Sequence, residues 1–266
     1  MLEFLKVCEQ AARAGGAAIM DLAGRATAWE KGPSDLVTQA DLASQEIVRR
    51  TVLGAFPDHV LVGEEDPKSW GQARAGYRWI VDPLDGTLNF VHGLPHYAVS
   101  LALQRQGEVL VGAIYDPNRD ECFTAIAGQG AWLNGRPIRP SRIIELSGAM
   151  AAASFPYQLD RNSPDLLTFL EATSRCQTIR RTGSAALNLA YVAAGRIDLF
   201  WAYATKVWDV AAGMLIVREA GAVITATDGG PFVLENPHFL SAANEELRGK
   251  FQPLMAKDVA PAPAYG

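Results

Sequence analysis

Cysteine is scarce in this sequence. Cys8, Cys122 and Cys176 stand far apart, their number is odd, and no Cys-x-x-Cys pair exists. A disulfide framework and a thiolate metal cage are therefore excluded, and reduced thiols in a cytoplasmic protein are the expectation. Long hydrophobic runs are missing as well. The longest apolar stretch, 210–226, is broken by Arg218 and Glu219, so no membrane partner is expected. The first residues carry Glu3, Lys6, Glu9 and Arg13 within their apolar pattern, which is not how a signal peptide reads. Basic excess is absent: the net charge is −5, which argues against a nucleic-acid surface. What remains, with 49% hydrophobic and 20% charged residues, is an ordinary globular composition.

The pattern along the chain divides it in two. Apolar positions Leu2, Leu5, Cys8, Ala12, Ile19 and Leu22 predict a first helix over 2–23. A loop around Gly32-Pro33-Ser34 follows, and Thr38-Gln39-Ala40-Asp41 opens a second helix that reaches about Phe56. Residues 59–63 read as a short strand, 66–77 as an exposed mobile loop, and the run into Asp82 as a buried strand. From 97 to 140 the pattern is β, punctuated by Gln106-Gly107, Asp116-Pro117-Asn118 and the hairpin signal Asn134-Gly135. Beyond about 145, strands at 147–153, 176–181, 197–203, 222–226 and 238–242 alternate with helices at 163–174, 184–194, 207–220 and 244–255. The expectation is an N-terminal α+β half over 1–143, mostly antiparallel, an α/β half over 144–256, and a disordered tail over 257–266.

The densest chemistry lies in Trp79-Ile80-Val81-Asp82-Pro83-Leu84-Asp85-Gly86-Thr87-Leu88-Asn89-Phe90. The apolar run ends in two aspartates three apart, at the exit of a strand. Carboxylates that close repel each other unless a positive charge lies between them. Oxygen ligands at such a point suit a hard divalent cation such as Mg²⁺. Gly86-Thr87 would begin a helix whose first N–H groups hold an anion. Three further segments place acids at element ends: Asp35 to Asp41, Gly63-Glu64-Glu65-Asp66, and Lys206-Val207-Trp208-Asp209. Each alone has a structural reading too. Thr38-x-x-Asp41 is a capping box, the acidic run a solvated turn, and Asp209 a first-turn acid. Their conjunction and order are far more specific than any one of them.

With these four in order, the sequence resembles the inositol monophosphatase-like family of metal-dependent, lithium-sensitive phosphatases. The similarity runs from about residue 5 to residue 255. It is carried by Gly63-Glu64-Glu65, by Trp79 to Gly93, by Trp208-Asp209-Val210-Ala211-Ala212-Gly213, by Asp35 to Asp41 and by Gly183-Ser184-Ala185-Ala186. The resemblance implies a layered α-β-α-β-α sandwich, the fold of the sugar phosphatases. It implies two to three Mg²⁺ ions. One would be held by Glu64, Asp82 and the carbonyl of Leu84, a second by Asp82, Asp85 and Asp209, and a third, weaker one near Glu64. It implies in-line hydrolysis of a phosphate monoester by a metal-activated water that Asp41 and Thr87 orient and deprotonate. Phosphate would rest on Asp85, Gly86 and Thr87, substrate on Ala185 and Asp209, and Glu65 behind the ligands. His92 and His96 read as structural.

Family members act on inositol monophosphates, fructose 1,6-bisphosphate, histidinol phosphate and nucleoside 3′,5′-bisphosphates. Inositol-selective members carry a glutamate where this chain has Ala202, and a methyl group cannot accept a hydroxyl hydrogen bond. The expectation is a cytoplasmic phosphoric monoester hydrolase of the inositol-1-phosphatase type, acting on a small phosphorylated polyol, sugar or metabolite, and a homodimer by resemblance. The alternatives are another phosphatase of the family and a catalytically idle regulatory or binding protein on the same fold.

Overall fold

Helical spacing at the start of the chain produces α1 (Leu2–Leu22), which buries Cys8, Ala11, Ala12, Gly15, Gly16 and Ile19 along one face. The computed structural model describes residues 1–32, 35–66, 76–156 and 159–256. Most of the stretch expected as a loop over 66–77, and the whole tail over 257–266, lie outside the described residues. The two glycines of α1 answer to packing. A Cβ on Gly15 would lie 2.8 Å from the Ser44 hydroxyl, and one on Gly16 would lie 2.5 Å from the Tyr115 ring. Helix α1 thus seats closely on α2 (Gln39–Ala55) and on the strand that carries Tyr115. Between the helices the chain forms a hairpin, β1 (Ala28–Gly32) against β2 (Asp35–Thr38), where the sequence suggests only a loop. All three cysteines are unpaired and buried. No helix among the described residues is long and apolar enough to cross a membrane.

Two sheets follow. The larger runs β3 (Val60–Gly63), β4 (Tyr77–Asp85), β5 (Ala98–Arg105), β6 (Glu108–Asp116), β7 (Glu121–Ile126), β8 (Gly130–Leu133) and β9 (Arg136–Pro137), in that order. Only β3 and β4 run parallel; the other neighbours are antiparallel. Asn134 and Gly135 both adopt positive φ, 47° and 75°, as a tight hairpin turn of the primed type demands. The smaller sheet has the order β11 (Thr178–Arg180), β10 (Met150–Ser154), β12 (Leu199–Ala202), β14 (Phe239–Ala242), β13 (Val223–Thr225). Here β10 is parallel to β11 and β12, and β14 is antiparallel to β12 and β13. Helices α4 (Pro164–Thr173), α5 (Ala185–Ala193), α6 (Val207–Ala220) and α7 (Glu245–Phe251) lie at or near the expected positions.

Side-chain alternation sorts these elements into layers. Trp79, Val81, Leu101, Leu103 and Val111 face α1 and α2. Ile80, Ala102 and Ile114 face the other way and join α5 and α6. From the smaller sheet, Phe200, Ala202 and Phe239 meet the same two helices. Its other face, with Leu199, Trp201 and Leu240, packs with Ala172 of α4 and with Leu247 and Phe251 of α7. The result is the α-β-α-β-α sandwich, with α5 and α6 as its central layer. One departure matters for the site. The sequence suggests that the strand stops at Asp82, yet β4 continues through Pro83 to Asp85, and its register against β5 shifts between the two aspartates. Proline offers no N–H to the ladder, so the pairing lapses there and the chain bulges.

The central layer sits tightly on the larger sheet. A Cβ on Gly112 would lie 3.0 Å from the Cα of Ala212 and 3.2 Å from its carbonyl oxygen, both backbone atoms of α6. Gly112→Ala is expected to cost roughly 1–3 kcal/mol through overpacking, read as a fall of several degrees in melting temperature. An unchanged melting temperature contradicts this account of the seam.

Candidate active site

Period-two alternation along β4 puts Asp82 on the same face as Ile80, toward the central helices. Asp82 is 2% exposed and Asp85 8% exposed, so both carboxylates are out of bulk water. The bulge between them turns both into the space between the sheets. Asp82 accepts a hydrogen bond from the Leu84 amide at 2.9 Å. Asp85 accepts from the Ser184 hydroxyl, from the Ala186 amide at 2.7 Å and from the Ala185 amide at 3.2 Å. Those donors form the N-terminus of α5, where unpaired N–H groups and the helix dipole favour an anion. Asp209 lies in the first turn of α6 and accepts from the Lys206 amide at 2.9 Å. Glu64 directly follows β3, and its amide bonds to the Val81 carbonyl at 3.3 Å, so parallel pairing brings it beside β4.

A second group adjoins these acids. Asp41, in the first turn of α2, is 1% exposed. Its Oδ2 accepts from the amide and hydroxyl of Thr38, at 2.7 and 2.6 Å. Its Oδ1 faces the Thr87 hydroxyl at 3.0 Å. The same hydroxyl is 3.0 Å from the Leu84 carbonyl, so one proton is shared between two acceptors. Asp41 thus does both things the sequence leaves open: one oxygen caps α2, and the other points at Thr87. Helix α3 (Thr87–Val91) begins directly after Gly86, whose φ of 102° suits glycine. A Cβ at Gly86 would also meet the His96 and Gly183 carbonyls, at 3.1 and 3.3 Å.

The electrostatics are those of like charges gathered close together. Burial raises the Asp82 carboxyl well above its usual range, and Glu64, Asp85 and Asp209 raise it further. Burial does the same to Asp209, with Asp85 and Glu64 adding to it and the Lys206 amide and charge opposing it. Asp85 is pushed up to about 6 by burial, against the pull of the α5 donors. Asp41 is also raised by burial, against its bonds from Thr38 and Thr87. None of the ion pairs among the described residues involves Asp41, Asp82, Asp85 or Asp209.

This donor set is hard oxygen and negatively charged, with Asp82 and Asp85 buried and Glu64 and Asp209 half-buried, and it fits Mg²⁺ rather than a softer ion. Among the described residues, no three His, Cys, Asp or Glu side chains are drawn together as a ready-made ion cage. Like charge keeps the acids apart, and each of the three aspartates has an oxygen tied to a protein donor. The expected residues fall as follows. Glu64, Asp82, Asp85 and Asp209 come within electrostatic reach of one another. The Leu84 carbonyl faces Thr87, and Ala185 gives its amide to Asp85. Glu65 is fixed through its amide to Gln45 at 3.3 Å, the side chain that also covers Gly63. Ala202 is fully buried at the end of β12. His92 is exposed, and the buried Nε2 of His96 has no hydrogen-bond partner.

Sequence reasoning missed Ser184, whose hydroxyl bonds Asp85, and Asn89, whose amide bridges two loops. Both stand within motifs, Gly183 to Ala186 and Trp79 to Gly93, and Ser184 also precedes a helix, but neither motif assigns them a partner.

Known proteins resemble this chain over most of its length. The sequence profile of the inositol monophosphatase family matches residues 1–262. A Pasteurella multocida (strain Pm70) protein named Nus factor SuhB is 40% identical over 232 residues, 86% of each chain. An inositol-1-monophosphatase of Rhizobium meliloti (strain 1021) is 43% identical over 226 residues, 82% of this chain and 85% of the relative. The crystal structure of the extragenic suppressor protein suhB from Bartonella henselae has a TM-score of 0.89 at 37% identity, covering 97% of this chain and 100% of that one.

The raised carboxyls fix the sign of a pH dependence. A carboxyl that titrates higher in the folded state favours the protonated fold. The stability it contributes is full below the ordinary carboxylate range and is lost as pH rises through the raised value, about 6 for Asp85. Asparagine at Asp82 mimics the protonated acid at every pH. In EDTA, Asp82→Asn should therefore be more stable than the parent by roughly 1–3 kcal/mol near pH 8, and the gain should shrink toward pH 4. Thermal melts across that range check it; a variant destabilised at pH 8 contradicts the repulsion.

Proposed function

The chain belongs to the inositol monophosphatase family, and on that premise we propose that it is a Mg²⁺-dependent phosphate monoester hydrolase. The observation that carries the reading is the carboxylate group of buried Asp82 and Asp85 with half-buried Asp209, beside the bonded pair Asp41–Thr87. Glu64, Asp82, Asp85, Asp209 and the Leu84 carbonyl are the groups that would hold two to three ions. The ions supply positive charge to phosphate oxygens and acidify water.

The protein's own residues do the rest. The Thr87 hydroxyl, bonded to Asp41 Oδ1, accepts a hydrogen bond from the attacking water and passes its own proton to the carboxylate. Burial makes Asp41 a stronger base than an exposed aspartate, which brings it nearer to the working pH. The amides of Gly86 and Thr87 open α3, where the first turn leaves N–H groups without helical acceptors, and they are the proposed seat of the phosphate. Glu65 supports Glu64 from behind. Ala185 and Asp209 line the substrate side.

The proposed substrate is a small phosphorylated polyol, with inositol 1-phosphate the first to test; the Rhizobium meliloti relative is named for that activity. The buried methyl of Ala202 supports a selectivity set by other groups. Fructose 1,6-bisphosphate, histidinol phosphate and nucleoside 3′,5′-bisphosphates belong in the same screen. A cytoplasmic homodimer inhibited by lithium completes the reading. A second reading, a binding or regulatory protein on this fold, is favoured by one observation: the Pasteurella multocida relative is named a Nus factor. The intact acid set supports catalysis.

Phosphate release with Mg²⁺ should stop in excess EDTA. Asp209→Asn should lower it by at least about 10²-fold with the fold retained by circular dichroism. Thr87→Ala should cost roughly 10²-fold in kcat with little change in KM. Full activity in Asp209→Asn, or turnover undiminished in EDTA, contradicts the mechanism. No release from any substrate in the screen leaves the regulatory reading standing.

A further inference from the structure

The two strand-to-helix segments that hold Asp85 come from opposite sheets, and one side chain joins them. Asn89, on α3, donates from its amide nitrogen to the His96 carbonyl at 2.7 Å and to the Thr182 carbonyl at 2.8 Å. Both acceptors are carbonyl oxygens, so the nitrogen must face both, and both of its hydrogens are used. The first bond ties α3 to the chain leading into β5. The second crosses to the segment between β11 and α5. Next to that bond stands Gly183, with φ +88°, where a Cβ would lie 2.7 Å from the Asn89 nitrogen. The Gly183 carbonyl in turn lies against Gly86. The following residue, Ser184, donates its hydroxyl to Asp85, and the next two amides bond the same carboxylate. Thr182 is also tied to α5, its hydroxyl donating to Asn188 at 2.8 Å. The contacts form an unbroken path: Asn89, Thr182 to Ser184, then the carboxylate of Asp85.

We propose that Asn89 is a positioning residue for Asp85: it clamps the Thr182–Ser184 segment of one sheet onto the Gly86–Asn89 segment of the other, and so sets the N-terminus of α5 on the carboxylate. Its importance for turnover rests on the phosphatase reading. The clamp itself is independent of that reading. Alanine at 89 leaves two carbonyls without their donor and frees the 182–184 segment. Leucine keeps the bulk against Gly183 and loses only the donors.

The test compares Asn89→Ala and Asn89→Leu, each alone and combined with Ser184→Ala. Mg²⁺ affinity by calorimetry should weaken about tenfold in both single variants, as for other groups that orient a metal ligand. At saturating Mg²⁺, kcat should fall about tenfold with KM within about twofold of the parent. Hydrogen exchange at the Ala185 and Ala186 amides should quicken by about tenfold or more without metal. In the Ser184→Ala background the Ala185 and Ala186 amides still bond Asp85, so either Asn89 change should still quicken their exchange. Unchanged exchange at Ala185 and Ala186 overturns the proposal whatever the activity. If the parent protein releases no phosphate from any monoester, the phosphatase reading fails, while the exchange measurement still decides the role of Asn89.

Discussion

Everything distinctive about this molecule depends on the repulsion among buried carboxylates where its two sheets meet. Asp82 and Asp85 are buried, Asp209 and Glu64 half-buried beside them, and the three aspartates form no ion pair with a basic side chain among the described residues. A fold does not keep such a cluster for its own stability, because unpaired buried charge is costly. The surrounding structure offsets part of that cost locally. The α5 terminus serves Asp85, and single amides serve Asp82 and Asp209. What these bonds leave over is a demand for positive charge, which a divalent cation would meet.

The layered architecture makes the cluster possible. Helices α5 and α6 lie between the sheets and are buried along most of their length; the N-terminus of α5 is buried and that of α6 half-buried. One of those termini bonds an aspartate from the other sheet, and the other carries an aspartate itself. The close seats of Gly112 on α6 and of Gly183 on Asn89 fix the larger sheet against the central helix and against the 182–184 segment, as a cation site with ligands from these elements requires. The bulge after Asp82 performs the equivalent service along one strand, since it lets two residues three apart turn into the same space.

Much of this was legible in the residues, and the exceptions share a cause. Wherever the signal is local and periodic, the sequence predicts the structure. The spacing of α1, the Asn134-Gly135 turn and the strand and helix alternation after 145 all appear close to their expected places. The acids themselves were legible because they cluster within short motifs. The hairpin β1–β2 was not, because Gly32 and Pro33 read as breakers. Nor was the run of β4 past Pro83, a residue that argues against a continuing strand. Ser184 and Asn89 were missed for a different reason. Their partners lie 99 and 93 residues away, and no periodicity encodes a polar contact across that distance.

The proposed divalent-cation site among these carboxylates can be observed directly. Crystals grown in Mn²⁺, with diffraction recorded at the manganese absorption edge, test it most directly. The account predicts an anomalous peak bounded by the carboxylates of Asp82, Asp85 and Asp209 that disappears when excess Mg²⁺ competes. A map with no anomalous density among those three side chains at millimolar Mn²⁺ would contradict it.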